Sequence, residues 1–112
     1  MIKFKNNSPW KWVKMVRYIQ TETATEHHVL QVLGAYANLH GSCFPSYETL
    51  MRDCRFKSDH TLTVALEGLR KLGVLTWKKG HGNQFKRIAN VYTLDQEAML
   101  NLLRKQKEAG TS

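Results

Sequence analysis

FPSYETLMRDCRFKSDHTLTVALEGLRKLGVL, residues 44–75, places two capped helices, a tight turn and the start of a strand within 32 residues. Ser46 is a good helix N-cap, and Glu48 close behind favours the positive end of the helix dipole. Tyr47, Leu50, Met51 and Cys54 then recur at helical spacing, which predicts a short helix with one apolar face. Arg55-Phe56-Lys57 breaks that period. Ser58 caps a second helix with Asp59 in its first turn, and Leu62, Ala65, Leu66, Leu69 and Leu72 form an amphipathic stripe. Gly73 stands where a left-handed residue closes such a helix, and Val74-Leu75-Thr76-Trp77 turns β-like.

Helix, short turn, capped helix, glycine and strand is the helix-turn-helix order, in which the second helix enters a DNA major groove. The stretch HGSCFPSYETLMRDCRFKSDHTLTVALEGLRKLGVL resembles the winged helix-turn-helix domains of phage, plasmid and mobile-element replication initiators. Gly41, Cys43, Phe44, Pro45, Ser46, Leu50, Ser58, Thr61, Ala65, Leu66, Leu69 and Gly73 carry the resemblance, which covers roughly residues 24–94. It implies a mainly α fold with a small β-hairpin, and a role in DNA replication through origin binding. Members commonly carry arginine or lysine at several outward positions of the second helix; here Asp59, Val64 and Glu67 stand instead.

Outward from this centre, the chain is expected to divide into a basic arm (1–8), the winged domain (9–94) and a C-terminal helix with a tail (95–112). Ser8-Pro9 is a helix start signal. Trp10, Val13, Val16 and Ile19 follow helical spacing, although alternation through Trp12, Lys14, Val16 and Tyr18 also suits a strand; helix is the expectation taken. Val29, Leu30, Val32, Leu33, Tyr36 and Ala37 predict a scaffold helix from Glu26 to Leu39, with His27 and His28 across its surface. After Leu75 the chain reads as a hairpin: Thr76–Lys79, a tip at Gly80-His81-Gly82-Asn83, and a return strand from Ile88 to Leu94. Asp95 caps a closing helix from Gln96 to about Lys107, with Ala98, Met99, Leu102 and Leu103 on one side.

The formal net charge is +8 and the pI near 9.7, which points to a polyanionic partner. Position decides more than the total. Residues 1–21 carry five basic residues and no acid; residues 68–94 carry Arg70, Lys71, Lys78, Lys79, Lys86 and Arg87, again with no acid. Double-stranded DNA is therefore the expected partner. The wing supplies Lys78, Lys79, Lys86 and Arg87 for phosphates, with His81 and Asn83 at its tip. On the second helix His60 suits a guanine or a phosphate, Thr63 and Val64 a thymine methyl, and Glu67 a cytosine amine, while Lys57, Ser58 and Thr61 suit the backbone. Lys3, Lys5, Lys11 and Lys14 of the N-terminal region are the alternative phosphate ligands.

Other chemistry finds little support. Cys43 and Cys54 match no zinc-ligand spacing with His40 or His60 and fall at core-facing positions, so free thiols and no metal are expected. Asp53, Asp59 and Glu67 are too scattered for paired carboxylate catalysis, and Gly80-His81-Gly82 opens no helix. The chain is expected to be no enzyme and to need no cofactor. Trp10, Trp12, Trp77, Tyr18, Tyr36, Phe56 and Tyr92 are assigned mainly to the core rather than to stacking on single strands. The N-terminus resembles no signal peptide and no run is long enough to span a membrane, so a cytoplasmic setting is expected. The closing helix suggests a homodimer, and the resemblance implies that the chain is the N-terminal part of a larger initiator. A stand-alone transcriptional regulator, or a protein-interaction module that no longer binds DNA, are the alternatives.

Overall fold

In the computed structural model, residues 11–79 and 90–110 are described. Among them the elements run α1 (Lys11–Val16), α2 (Ala24–Tyr36), β1 (Ser42–Cys43), α3 (Tyr47–Cys54), α4 (Asp59–Leu72), β2 (Leu75–Lys79), β3 (Asn90–Leu94) and α5 (Gln96–Gly110). The strands form one antiparallel sheet in the order β1-β3-β2, with Cys43 opposite Tyr92 and Trp77 opposite Tyr92 on its other side. A mainly α chain with a small antiparallel sheet is the winged helix-turn-helix architecture expected from the sequence.

Capping residues set most of these boundaries. The side chains of Thr23, Ser46 and Ser58 each accept a hydrogen bond from a backbone N–H in the first turn of the following helix. Asp95 does the same for α5, accepting from the Ala98 N–H at 2.9 Å. The scaffold helix starts before Glu26 because Thr23 is its cap, and stops at Tyr36 rather than Leu39. Asn38 ends it: its side-chain oxygen accepts from the N–H groups of His40 and Ser42 at 2.9 and 3.1 Å. That side-chain turn competes with the helix for backbone donors. It delivers the chain into β1, a third strand that the hairpin expectation did not contain.

β1 stays beside β3 through Gly41. The Leu94 N–H donates to the Gly41 carbonyl at 2.8 Å. Gly41 has φ +85°, and a Cβ there would stand 2.7 Å from the Trp12 ring and 2.8 Å from the Leu94 carbonyl. Only glycine fits. The same contact fixes the register of α1, whose buried apolar residues are Trp12, Met15 and Val16, with Ile19 just beyond. Of the expected stripe Trp10, Val13, Val16 and Ile19, the last two are buried, Val13 is half-buried and Trp10 lies outside the described residues, while Trp12 and Met15 join the buried side. Lys11 is buried too, its ammonium 5.0 Å from the Trp12 ring.

One continuous core joins Val29, Leu30 and Leu33 of α2, Leu50 and Cys54 of α3, Leu62, Ala65, Leu66 and Leu69 of α4, and Leu75, Tyr92 and Leu94 of the sheet. Met99 of α5 is fully buried in this cluster, and Leu100, Leu102 and Leu103 pack against it half-buried. Gln106 of α5 also donates to the Gln20 carbonyl at 3.2 Å. The apolar side of the closing helix is therefore taken up by the chain's own core. Tyr18 and Tyr36, assigned to the core from periodicity, are exposed instead. The Tyr36 hydroxyl donates to Asp53 on α3, so a polar tip keeps this ring at the surface.

Gly73 closes α4 with φ +91°, its N–H donating to the Arg70 carbonyl, and nothing lies within 4 Å of a Cβ added there. Gly73→Ala therefore meets no clash and only the left-handed conformational penalty. A loss of about 1 kcal/mol is expected in chemical denaturation, with an unchanged denaturant slope.

Cys43 and Cys54 are free and buried. Burial pushes the Cys43 thiol up to about 12 from 9.0. Burial, and then the Asp53 charge, push Cys54 up to about 11. Neither thiol should react with dithionitrobenzoate at pH 8 until the chain unfolds. Because the folded state holds both protons more tightly, their contribution to stability is complete below pH 9.0 and is lost as pH rises through 11 to 12. Melting temperatures across that alkaline range check the sign.

Candidate nucleic-acid interface

α3 and α4 meet through a turn that closes on backbone geometry. Arg55 is left-handed at φ 58°, and its N–H donates to the Arg52 carbonyl while Phe56 N–H donates to Met51. This is the one non-glycine residue with positive φ among those described. Lys57 and Ser58 follow, both exposed. The Ser58 hydroxyl accepts from the His60 N–H at 3.2 Å, so its oxygen is engaged in starting α4.

α4 buries Leu62, Ala65, Leu66 and Leu69, which leaves His60, Thr61, Thr63, Val64, Arg70 and Lys71 on its solvent side. Val64 is 52% exposed. The Thr63 hydroxyl lies 3.2 Å from the Tyr47 hydroxyl of α3. Sequence spacing put Tyr47 on the apolar side of α3, yet only Leu50 and Cys54 of that set are buried; Tyr47 stands at the edge, beside α4.

The acids of α4 are less opposed to a polyanion than their count suggests. Asp59 sits in the first turn, where the helix dipole favours it. Glu67 is ion-paired, its Oε2 2.5 Å from an Arg70 guanidinium nitrogen. The same guanidinium lies 5.0 Å from the centre of the Trp77 ring on β2, and Trp77 in turn meets Tyr92 at 6.0 Å. Glu67, Arg70 and Trp77 thereby tie the second helix of the motif to the first strand of the hairpin. Neither the Glu67–Arg70 pair nor the ring that Arg70 covers was read from the sequence, and the ring contact depends on how the hairpin folds back.

β2 carries the expected lysines at the surface, Lys78 opposite Val91 and Lys79 opposite Asn90. Alternation places them on opposite faces of the ribbon. His81, Asn83, Lys86 and Arg87, the remaining residues expected to meet DNA, lie outside the described residues. Lys57, Ser58, His60, Thr61, Thr63, Val64, Glu67, Lys78 and Lys79 all lie on α4, on the turn before it or on β2.

Two carboxylates have structural tasks. Asp53 accepts from Tyr36 and from Arg52 Nε at 3.2 Å, and these bonds, the Tyr36 one foremost, hold it below its ordinary value. Glu26, buried at the start of α2, lies over Gly68: a Cβ on Gly68 would come within 2.5 Å of its Oε2. A glycine in the middle of α4 thus admits a carboxylate from the scaffold helix. Among the described residues no group of three or more His, Cys, Asp or Glu is placed to hold a metal ion, and no helix is long and apolar enough to cross a membrane.

Residues 23–75 match the model of a family described as a helix-turn-helix domain. The matched span runs from the cap of α2 to the first residue of β2, and so contains both helices of the motif and the helix they pack against. It supports a DNA-binding domain of the helix-turn-helix type. Comparisons with curated proteins and with solved structures gave no match.

Proposed function

We propose that this chain binds double-stranded DNA with α4 in the major groove and the β2–β3 hairpin against the phosphate backbone. We further propose that it serves as the origin-recognition module of a replication initiator of a phage, plasmid or other mobile element. The observation that carries the DNA reading is the exposed polar side of α4, beside the exposed Lys78 and Lys79, in a chain of net charge +8. The origin reading rests on the resemblance of residues 24–94 to initiator domains.

Fluorescence anisotropy with random duplexes and with fragments of the element that encodes the chain tests both levels. Log affinity is expected to fall linearly with log salt. A chain that leaves every duplex free at low salt does not bind DNA. Equal affinity for origin fragments and for other fragments of the element removes the initiator role but not DNA binding. A homodimer through α5 would draw on the half-exposed Leu102 and Leu103, since Met99 is fully buried. A clean monomer by sedimentation at high micromolar concentration removes the homodimer.

A further inference from the structure

We infer that Arg70 of α4 is a positioning residue for the wing: its guanidinium, held on the Trp77 ring, sets the pitch of β2 over α4 and aims Lys79 at a phosphate. The inference rests on the DNA-binding role proposed above and deepens it, by naming what joins the helix and strand parts of the interface.

Three observations lead to it. First, the guanidinium is already engaged within the protein. Glu67 Oε2 lies 2.5 Å from one of its nitrogens, and the centre of the Trp77 ring is 5.0 Å away. A planar guanidinium meets a carboxylate along its edge and stacks on a ring with its face, so it can hold both at once. The Glu67 charge offsets that of Arg70, which leaves the pair little net charge to offer a phosphate.

Second, Trp77 is where β2 leaves the core. Val74 and Leu75 are fully buried, Trp77 is half-buried, and Lys78 and Lys79 are exposed. Trp77 rests against Tyr92, its partner on β3, with ring centres 6.0 Å apart, and Arg70 covers it from α4. Among the described residues no other side-chain hydrogen bond, ion pair or ring contact links α4 to β2.

Third, Lys79 lies on the face that this stack holds. Side chains alternate along a strand, so Leu75, Trp77 and Lys79 share the face turned to the core and to α4, while Lys78 takes the other. Opposite Lys79 stands Asn90, whose side-chain amide donates to the Tyr92 hydroxyl at 3.3 Å. Lys79 is thus the next residue of this face after the ring that Arg70 covers. A tilt of the ribbon at Trp77 carries the lysine with it.

The test measures salt slopes of the full chain on a random duplex and on a duplex that the parent enriches from a randomised library. Lys79→Ala should flatten the slope by about 0.9, a loss of about fivefold near 0.15 M salt, alike on both duplexes. Arg70→Gln should flatten it by the same amount, and the two changes together by no more than either alone. Trp77→Leu removes no charge and should flatten the slope as well, whereas Trp77→Phe, which keeps a ring beneath the guanidinium, should restore it. Losses at Arg70 and Lys79 that add to about 1.8 make Arg70 a phosphate ligand in its own right and overturn the inference. An Arg70→Gln or a folded Trp77→Leu chain with the parent's slope overturns it too. So does a silent Lys79→Ala, and in each of these cases DNA binding by the parent stands. A parent that binds no duplex at low salt removes both readings. Arg70 and Lys79 are exposed, so their double-variant comparison decides even where Trp77→Leu folds poorly.

Discussion

Leu66→Ala should remove a large part of this domain's stability. Leu66 lies in the middle of α4, is 1% exposed and belongs to the cluster that joins the scaffold helix, the motif helices and the sheet. Removing its branched end withdraws apolar contacts and opens a cavity in a core that relaxes only partly. The loss expected is about 2–5 kcal/mol. A chain of 112 residues forms a small domain, whose total stability is typically about 5–15 kcal/mol. A loss of that size lowers the melting temperature by roughly 10–25 °C. Circular dichroism melts of the two chains measure it directly. A variant that melts within a degree or two of the parent places Leu66 outside the core and contradicts the fold.

The residues that made α3 and α4 legible are those whose effect is local. Ser46 and Ser58 cap, Gly73 closes, and the leucines of α4 repeat at helical spacing, so both helices fall where those signals put them. Signals failed where a distant partner decides. WKWVKMVRYI is apolar at enough positions to support several registers, and it is Gly41, 29 residues beyond Trp12, that makes room for one particular ring. β1 has two residues, too few to show a period, and exists because β3 offers it an edge. Tyr47 was indistinguishable in spacing from a core residue; its hydroxyl finds Thr63 only once α3 and α4 are packed. At the candidate interface the lysines of β2 were legible as charge. The pairing of Glu67 with Arg70 over Trp77 was not, and it changes how acidic the α4 face is. Periodicity also placed Met99, Leu102 and Leu103 on one side of α5 without saying that the covering surface is the same chain.

Replacing both Lys78 and Lys79 by alanine should weaken binding to every duplex, whatever its sequence. Both lysines are exposed on β2, and neither has a salt bridge among the described residues. Each phosphate neutralised contributes about 0.9 to the slope of log affinity against log salt, so two lost contacts flatten the slope by roughly two. Taken as pure counterion release relative to about 1 M salt, that weakens binding roughly thirtyfold near 0.15 M. The loss should be alike on enriched and on random duplexes, because phosphates carry no direct sequence information. His60→Ala with Thr63→Ala should behave in the opposite way, costing about 1–3 kcal/mol on an enriched duplex and little on random DNA. Competition assays at several salt concentrations separate the two patterns. Should the lysine pair prove silent, with affinity and slope unchanged, β2 is only a solvated strand. The N-terminal region would then have to supply the phosphate ligands, and there Lys11 is already disqualified: it is 6% exposed, with its ammonium over the Trp12 ring. Of the described N-terminal lysines only Lys14, exposed on α1, would be left to carry the contact.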